Sequence, residues 1–183
     1  CMNYRHVVFI FICGIFFMCH TVHADVIVNE IAWMGTATSA NDEWIELFNS
    51  GTSAVTVDGW TLKASDGSPS INLTGSISAG GYMLLERTDD NTIPAITAGV
   101  IYSGAMSNTG ENFSLKNNTE QVIDTVNMTS GWTAGNATTK ETMQRKGSTW
   151  ITGAPTPSAA NVTVNNDPND EDPPDDETNS AID

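Results

Sequence analysis

Between residues 25 and 164 apolar residues come in short runs, many alternating with polar ones, and nowhere hold the spacing of an amphipathic helix. The runs are DVIVNEI (25–31), EWIELFN (43–49), WTLKA (60–64), SINLTG (70–75), YMLLER (82–87), GVIYS (99–103), NFSLKN (112–117) and QVIDTV (121–126). Ile45 and Leu47 fall on one side of their run, with Trp44, Glu46 and Phe48 on the other. Such period-two alternation predicts strands with one face on a core and one toward solvent. The connectors Asn49-Ser50-Gly51, Asp66-Gly67-Ser68-Pro69, Gly80-Gly81, Asn108-Thr109-Gly110 and Asn117-Asn118 are residues that tolerate tight turns and positive φ. Short strands at this spacing predict an all-β protein, a two-sheet antiparallel sandwich.

The two ends depart from the pattern. Val7 to Met18 is an apolar run behind Arg5 and His6, and Val22-His23-Ala24 has the small residues of a signal-peptidase site. The run falls short of the roughly 20 residues of a membrane span. It predicts a signal peptide over 1–24 and a secreted or cell-envelope protein; the alternative is an uncleaved segment anchoring the chain to the membrane. At the other end, 165–183 holds eight of the 22 acidic residues, no basic one, and only Ala181 and Ile182 as apolar residues. A segment this polar cannot bury enough surface to offset its ordering entropy, so it reads as a disordered acidic linker or tail. Its Asp and Asn oxygens suit calcium, but the glycine of a regular calcium loop is missing. One domain, 25–164, remains between the two.

All three cysteines and all three histidines lie within the first 24 residues. Past that point, thiol and Ser–His–Asp nucleophiles and His or Cys zinc sites are excluded, and oxygen chemistry is what is left. The formal charge of −15, with scattered Lys and Arg, argues against nucleic acid as a direct partner.

The ordered set VxVNEI (26–31), EWIELFN (43–49), DGWTL (58–62), ISAGGYMLL (77–85), MSNTGENFSL (106–115), QVIDTV (121–126), QRK (144–146) and PTPSAAN (155–161) resembles the lamin-tail domain, in its bacterial exported type. The resemblance implies an immunoglobulin-like sandwich. Bacterial members of the family are typically exported and often fused to nucleases, other hydrolases or adhesion-like modules. The domain is not known as an enzyme in itself, so no catalytic residue and no cofactor follow from it. Its signature positions read as structural: Asn49 at a strand end, Gly59 and Trp60 where a turn leads a core indole into a strand, and Gly80 and Gly81 before Tyr82.

Carboxylates are the remaining acid–base candidates. Glu43 and Glu46 are an odd number of residues apart and point to opposite faces of a regular strand. Glu30 with Glu46, or with Asp42, could form a glycosidase-type pair. The plainer reading is strand-edge charges that solvate a sheet. Glu30, Asp42, Asp89 and Asp90 are candidate ligands for a hard cation, although Asp89-Asp90-Asn91 is also common turn chemistry. Trp33, Trp44 and Phe48 are candidates for an exposed binding face, where aromatic rings stack sugars or anchor a protein. Trp33 lies in a Gly/Ser/Thr-rich loop, and Trp44 opposes Ile45 and Leu47. Together these features predict an exported, non-enzymatic binding module without cofactor. Its contact surface would be the loops 32–42 and 128–142, and its partner an extracellular protein or an envelope polysaccharide. The alternative is an accessory domain of a larger secreted hydrolase or nuclease whose active site lies beyond Asp183.

Overall fold

A computed structural model describes residues 26–162; the leader expected over 1–24 and the acidic tail over 165–183 lie outside them. Twelve strands follow in order: β1 (Val26–Ala32), β2 (Trp44–Asn49), β3 (Val55–Thr56), β4 (Thr61–Ala64), β5 (Ser70–Asn72), β6 (Ser76–Ile77), β7 (Tyr82–Arg87), β8 (Val100–Tyr102), β9 (Asn112–Lys116), β10 (Val122–Asn127), β11 (Thr142–Lys146) and β12 (Thr149–Gly153). No helix occurs among the described residues. One sheet runs β12-β11-β1-β2-β7-β8, the second runs β10-β9-β4-β5, and β3 and β6 form a small ribbon. The fold is all-β and immunoglobulin-like.

The core lies between the two main sheets. Val28, Ile31, Ile45, Leu47, Leu85 and Met143 from the larger sheet meet Leu62, Ile71, Phe113, Leu115 and Val126 from the smaller one. Each such side chain, fully buried, contributes about 1.5–3 kcal/mol.

The antiparallel expectation fails at one place: β7 and β8 pair in parallel. A parallel pair needs a long crossover. Here residues 88–99 provide it, laying Ile93 and Ile96 against Trp44 and Leu84.

A bulge in β1 decides the chemistry of the larger sheet. Val28 pairs with Leu47, but Glu30 pairs with Glu46, leaving Asn29 as the extra residue. Without it Glu30 would share the core-facing side with Val26 and Val28; the extra residue turns it to the opposite face beside Glu46. The bulge also leaves the Val28 backbone for side chains. Val28 N donates to Asp124 Oδ2 at 2.8 Å, and Arg145 Nε donates to the Val28 carbonyl at 2.7 Å. Arg145 closes the triangle with Asp124 at 2.6 Å and lies over the Trp150 ring at 4.6 Å. This partly buried ion pair ties β10 of one sheet to β1 and β11 of the other.

Strands β11 and β12 were not legible in the pattern, and much of the lead into them reads as loop. The reason is that the core-facing side is itself mixed: Met143 is followed on that face by Arg145, which reaches Asp124, and across the pair Trp150 is followed by Thr152. With polar residues on both faces, no apolar alternation shows.

Gly59 adopts φ +74° in the turn before Trp60, which packs half-buried against the core edge rather than within it. A Cβ at Gly59 would meet only Asn118 Cβ, at an ordinary 3.5 Å. Gly59→Ala is therefore expected to cost only the left-handed backbone strain, about 1–2 kcal/mol, read as a shift of the denaturant midpoint with an unchanged slope.

Candidate binding site between two loops

The acidic candidates are consumed by the structure. Glu30 and Glu46 are cross-strand neighbours, both with 0% exposure, on central strands rather than at a sheet edge. The expectation of solvating edge charges is corrected here: residues 154–162 cross over the sheet and cover both carboxylates. Glu30 accepts from the Thr142 hydroxyl, from Gln144 Nε2 at 3.1 Å, and from Thr156 N at 3.0 Å and Oγ1 at 2.7 Å. Glu46 accepts from Asn29 Nδ2 at 3.0 Å and Ser158 N at 2.5 Å. Asn161 extends the fastening to the Asn29 and Arg145 carbonyls. Burial pushes the Glu46 carboxyl up to about 7, against the pull of the Ser158 N–H and the Asn29 amide, with Glu30 adding to the rise. The two acids are thus neighbours across β1 and β2, but both are fully covered by the 154–162 segment and do not flank an open cleft as a glycosidase pair must. Their work is to hold the segment above them.

The other acids are hydrogen-bond acceptors for loops. Glu43 is buried, takes the Met106 N–H at 2.8 Å and pairs with Arg87 at 3.3 Å. Glu86 takes the N–H groups of Thr92 and Ile93 at 3.1 and 3.0 Å, pinning the crossover. Asp42 accepts from the Thr36 hydroxyl at 2.8 Å, Asp89 from Asn91 N at 3.0 Å, and Asp90 from Ala98 N at 2.7 Å. The hard-cation set Glu30, Asp42, Asp89 and Asp90 is not brought together: among the described residues no three His, Cys, Asp or Glu are grouped to hold a metal.

Asn49 is fully buried at the end of β2. Its Nδ2 donates to the carbonyls of Ser53, Ile77 and Ser78 at 2.8, 2.9 and 3.0 Å, while Oδ1 accepts from Gly51 N at 3.0 Å. Its backbone bonds the Gly80-Gly81 turn through Gly81 O and Gly80 N, both at 2.9 Å, with Gly80 at φ +65°. One side chain therefore joins two turns that are far apart in sequence.

The aromatic candidates divide. Trp44, expected to be exposed, is 1% exposed. Alternation does turn it away from Ile45 and Leu47, but that outer face is roofed by Met34, Ile93 and Ile96, which no local pattern around Trp44 reveals. Phe48 is half-buried against Tyr82, ring centroids 4.9 Å apart. Trp33 is half-buried and stacks on Trp132 at 5.7 Å with an interplanar angle of 4°. Trp33 Nε1 donates to the Ala134 carbonyl at 3.1 Å, and Trp132 Nε1 to Ser107 O at 2.8 Å.

This stack joins the loop after β1 to the loop before β11, and Lys140 adds a second tie, donating from Nζ to the Met34 carbonyl at 3.0 Å. Between the loops lies a pocket of about 240 Å³, reaching Trp44 and walled by Ala32, Ala37, Ile93 and Pro155. Thr36, Thr139, Lys140 and Thr142 supply its polar groups. Sequence reasoning named the two loops, Lys140 within the second of them, and Trp44, but missed Ile93 and Pro155. Nothing local marks these two, because they arrive from separate segments.

A family model of the lamin tail domain matches residues 20–130 of the chain. No curated protein matches it. The matched span supplies Ala32, Ala37, Trp44 and Ile93 to the pocket, whereas Lys140 and Pro155 come after it.

Proposed function

Because the chain belongs to the lamin tail domain family, we propose that it is an exported, non-enzymatic binding module that makes protein or cell-envelope contacts through the joined loops 32–42 and 128–142. The observation that carries this reading is the division of labour among side chains. The buried carboxylates are spent on backbone and hydroxyl donors, while the concave, largely apolar surface lies between two loops clamped by the Trp33–Trp132 stack. Concave apolar sites carrying a few polar groups are the usual form of recognition surfaces.

The test is co-sedimentation of the purified chain with the envelope fraction of its source cells. The expected result is saturable binding, weakened about tenfold by Ala37→Glu with Thr38→Glu, a loss of the size expected for disrupting a contact centre. Both positions are exposed, so folding is spared. Release of soluble envelope fragments by the chain, or retention that ignores the double variant, would defeat the reading.

A further inference from the structure

We infer that residues 154–162 are a detachable strap whose opening is driven by ionisation of Glu46 beside Glu30, so that the outer face of β1, β2 and β11 is covered in acid and uncovered toward neutral pH. Such a device needs no ligand, so it stands or falls apart from the binding reading above.

The strap is held by polar contacts. None of its residues is buried, and none joins either apolar cluster. Its backbone bond from Ala159 N to Thr156 O, at 3.0 Å, stays within the segment, and among the described residues no ladder joins it to a strand. The fastenings to the sheet run to or from side chains instead. Thr156 and Ser158 donate to the two carboxylates, and Asn161 reaches the Asn29 and Arg145 carbonyls. Gln144 Nε2 donates to Ala154 O at 2.6 Å, and Gln144 Oε1 accepts from Val162 N at 2.9 Å. Ser158 is held at φ +59°, an uncommon conformation for a residue with a side chain, and opening releases it. A segment with few buried apolar contacts is the kind that opens locally while the rest of a protein stays folded. Pro155, at the start of the strap, is also a wall of the pocket between the loops, so opening alters that surface.

What lies under the strap ties closure to proton uptake. Glu30 and Glu46 are cross-strand neighbours, and both are shut off from water beneath it. The groups facing Glu46 bring no positive charge. Glu30 comes from β1 and Tyr82 from β7. Thr142 and Gln144, on the covered face of β11, are neutral, and the Arg145 guanidinium is turned to Asp124. The strap itself has no titratable side chain. With the strap closed, burial pushes the Glu46 carboxyl up to about 7, and Glu30 adds to the rise. With the strap open, the carboxyl meets water and returns toward its ordinary 4.5. The closed form therefore keeps a proton that the open form gives up. Closure is strongest below the open-state value and weakens as pH rises through the closed-state one.

The experiment is amide hydrogen exchange of the chain, followed by NMR from pH 5 to 7.5 with and without low urea. Each rate is divided by its intrinsic value at that pH to give a protection factor. The Thr156, Ser158 and Val162 amides are expected to be less protected than those of Ile45 and Leu85 on the central strands. Their protection should respond little to urea, as a local opening exposes little surface. It should fall roughly fiftyfold across the pH range, the factor that linkage gives for a carboxyl moved between 4.5 and about 7. Glu46→Gln, which cannot ionise, should hold the protection of these amides level with pH. Three results would each overturn the inference: strap amides that exchange only with the core and share its urea dependence, parent protection that is equal at pH 5 and 7.5, or a Glu46→Gln variant that keeps the parent profile.

Discussion

Asn49→Ala is expected to remove about 3–5 kcal/mol of folding stability. The estimate follows from what the side chain leaves behind. Asn49 is fully buried, and its amide serves the carbonyls of Ser53, Ile77 and Ser78 together with the Gly51 N–H. Alanine returns nothing to these groups, and each buried polar group left unsatisfied costs about 1–3 kcal/mol. Some of those carbonyls will reach water through the turns, which keeps the total below the sum of the separate penalties. Asn49→Asp should be at least as damaging, because it exchanges the donor for an anion facing three carbonyl oxygens. Denaturant unfolding with an unchanged slope is the measurement. A loss under about 1 kcal/mol for the alanine variant would mean that the two turns hold their shape without the amide.

Stability is also expected to fall as pH rises from about 4.5 to 7. The Glu46 carboxyl is pushed up to about 7 in the folded chain, from 4.5. In that window the folded state binds more protons than the unfolded one, so each step up in pH favours unfolding. The stabilisation is complete below the unfolded value and lost through the folded one. At 1.36 kcal/mol per pH unit of difference, the fall is about 3 kcal/mol. Glu43, Glu86 and Glu111 are raised by burial as well and add in the same direction. Glu46→Gln keeps an acceptor for Ser158 N and cannot ionise beside Glu30. The variant should flatten the profile and be the more stable protein at pH 8. The check is unfolding midpoints from pH 4 to 8 for both proteins. A parent profile that is flat, or that rises over this range, would show that Glu46 titrates normally and that the covering segment 154–162 relaxes around it.

The physical division between these results explains what was legible beforehand. Local backbone preference and alternation depend on neighbours in sequence. The runs at 43–49 and 82–87 therefore coincide almost residue for residue with β2 and β7. Asn49 was legible for the same reason: a side-chain amide at a strand end beside a Ser-Gly turn has an obvious local use. Trp44 was not. Its direction followed from alternation, but its burial depended on a crossover arriving from residues 93 and 96.

The amino-acid sequence by itself determined that the protein is built of short strands, that it belongs with the lamin tail domains, and that its chemistry past residue 24 rests on oxygen groups. Those properties follow from residue type and period. Only the tertiary structure decided that one extra residue at Asn29 places two glutamates side by side, that a C-terminal segment covers them, and that Lys140 stands at the pocket above Trp44. Each of these depends on register and on contacts between residues about 15 to more than 100 positions apart. Their cause is the filling of space between elements, which a chain read along its length does not contain.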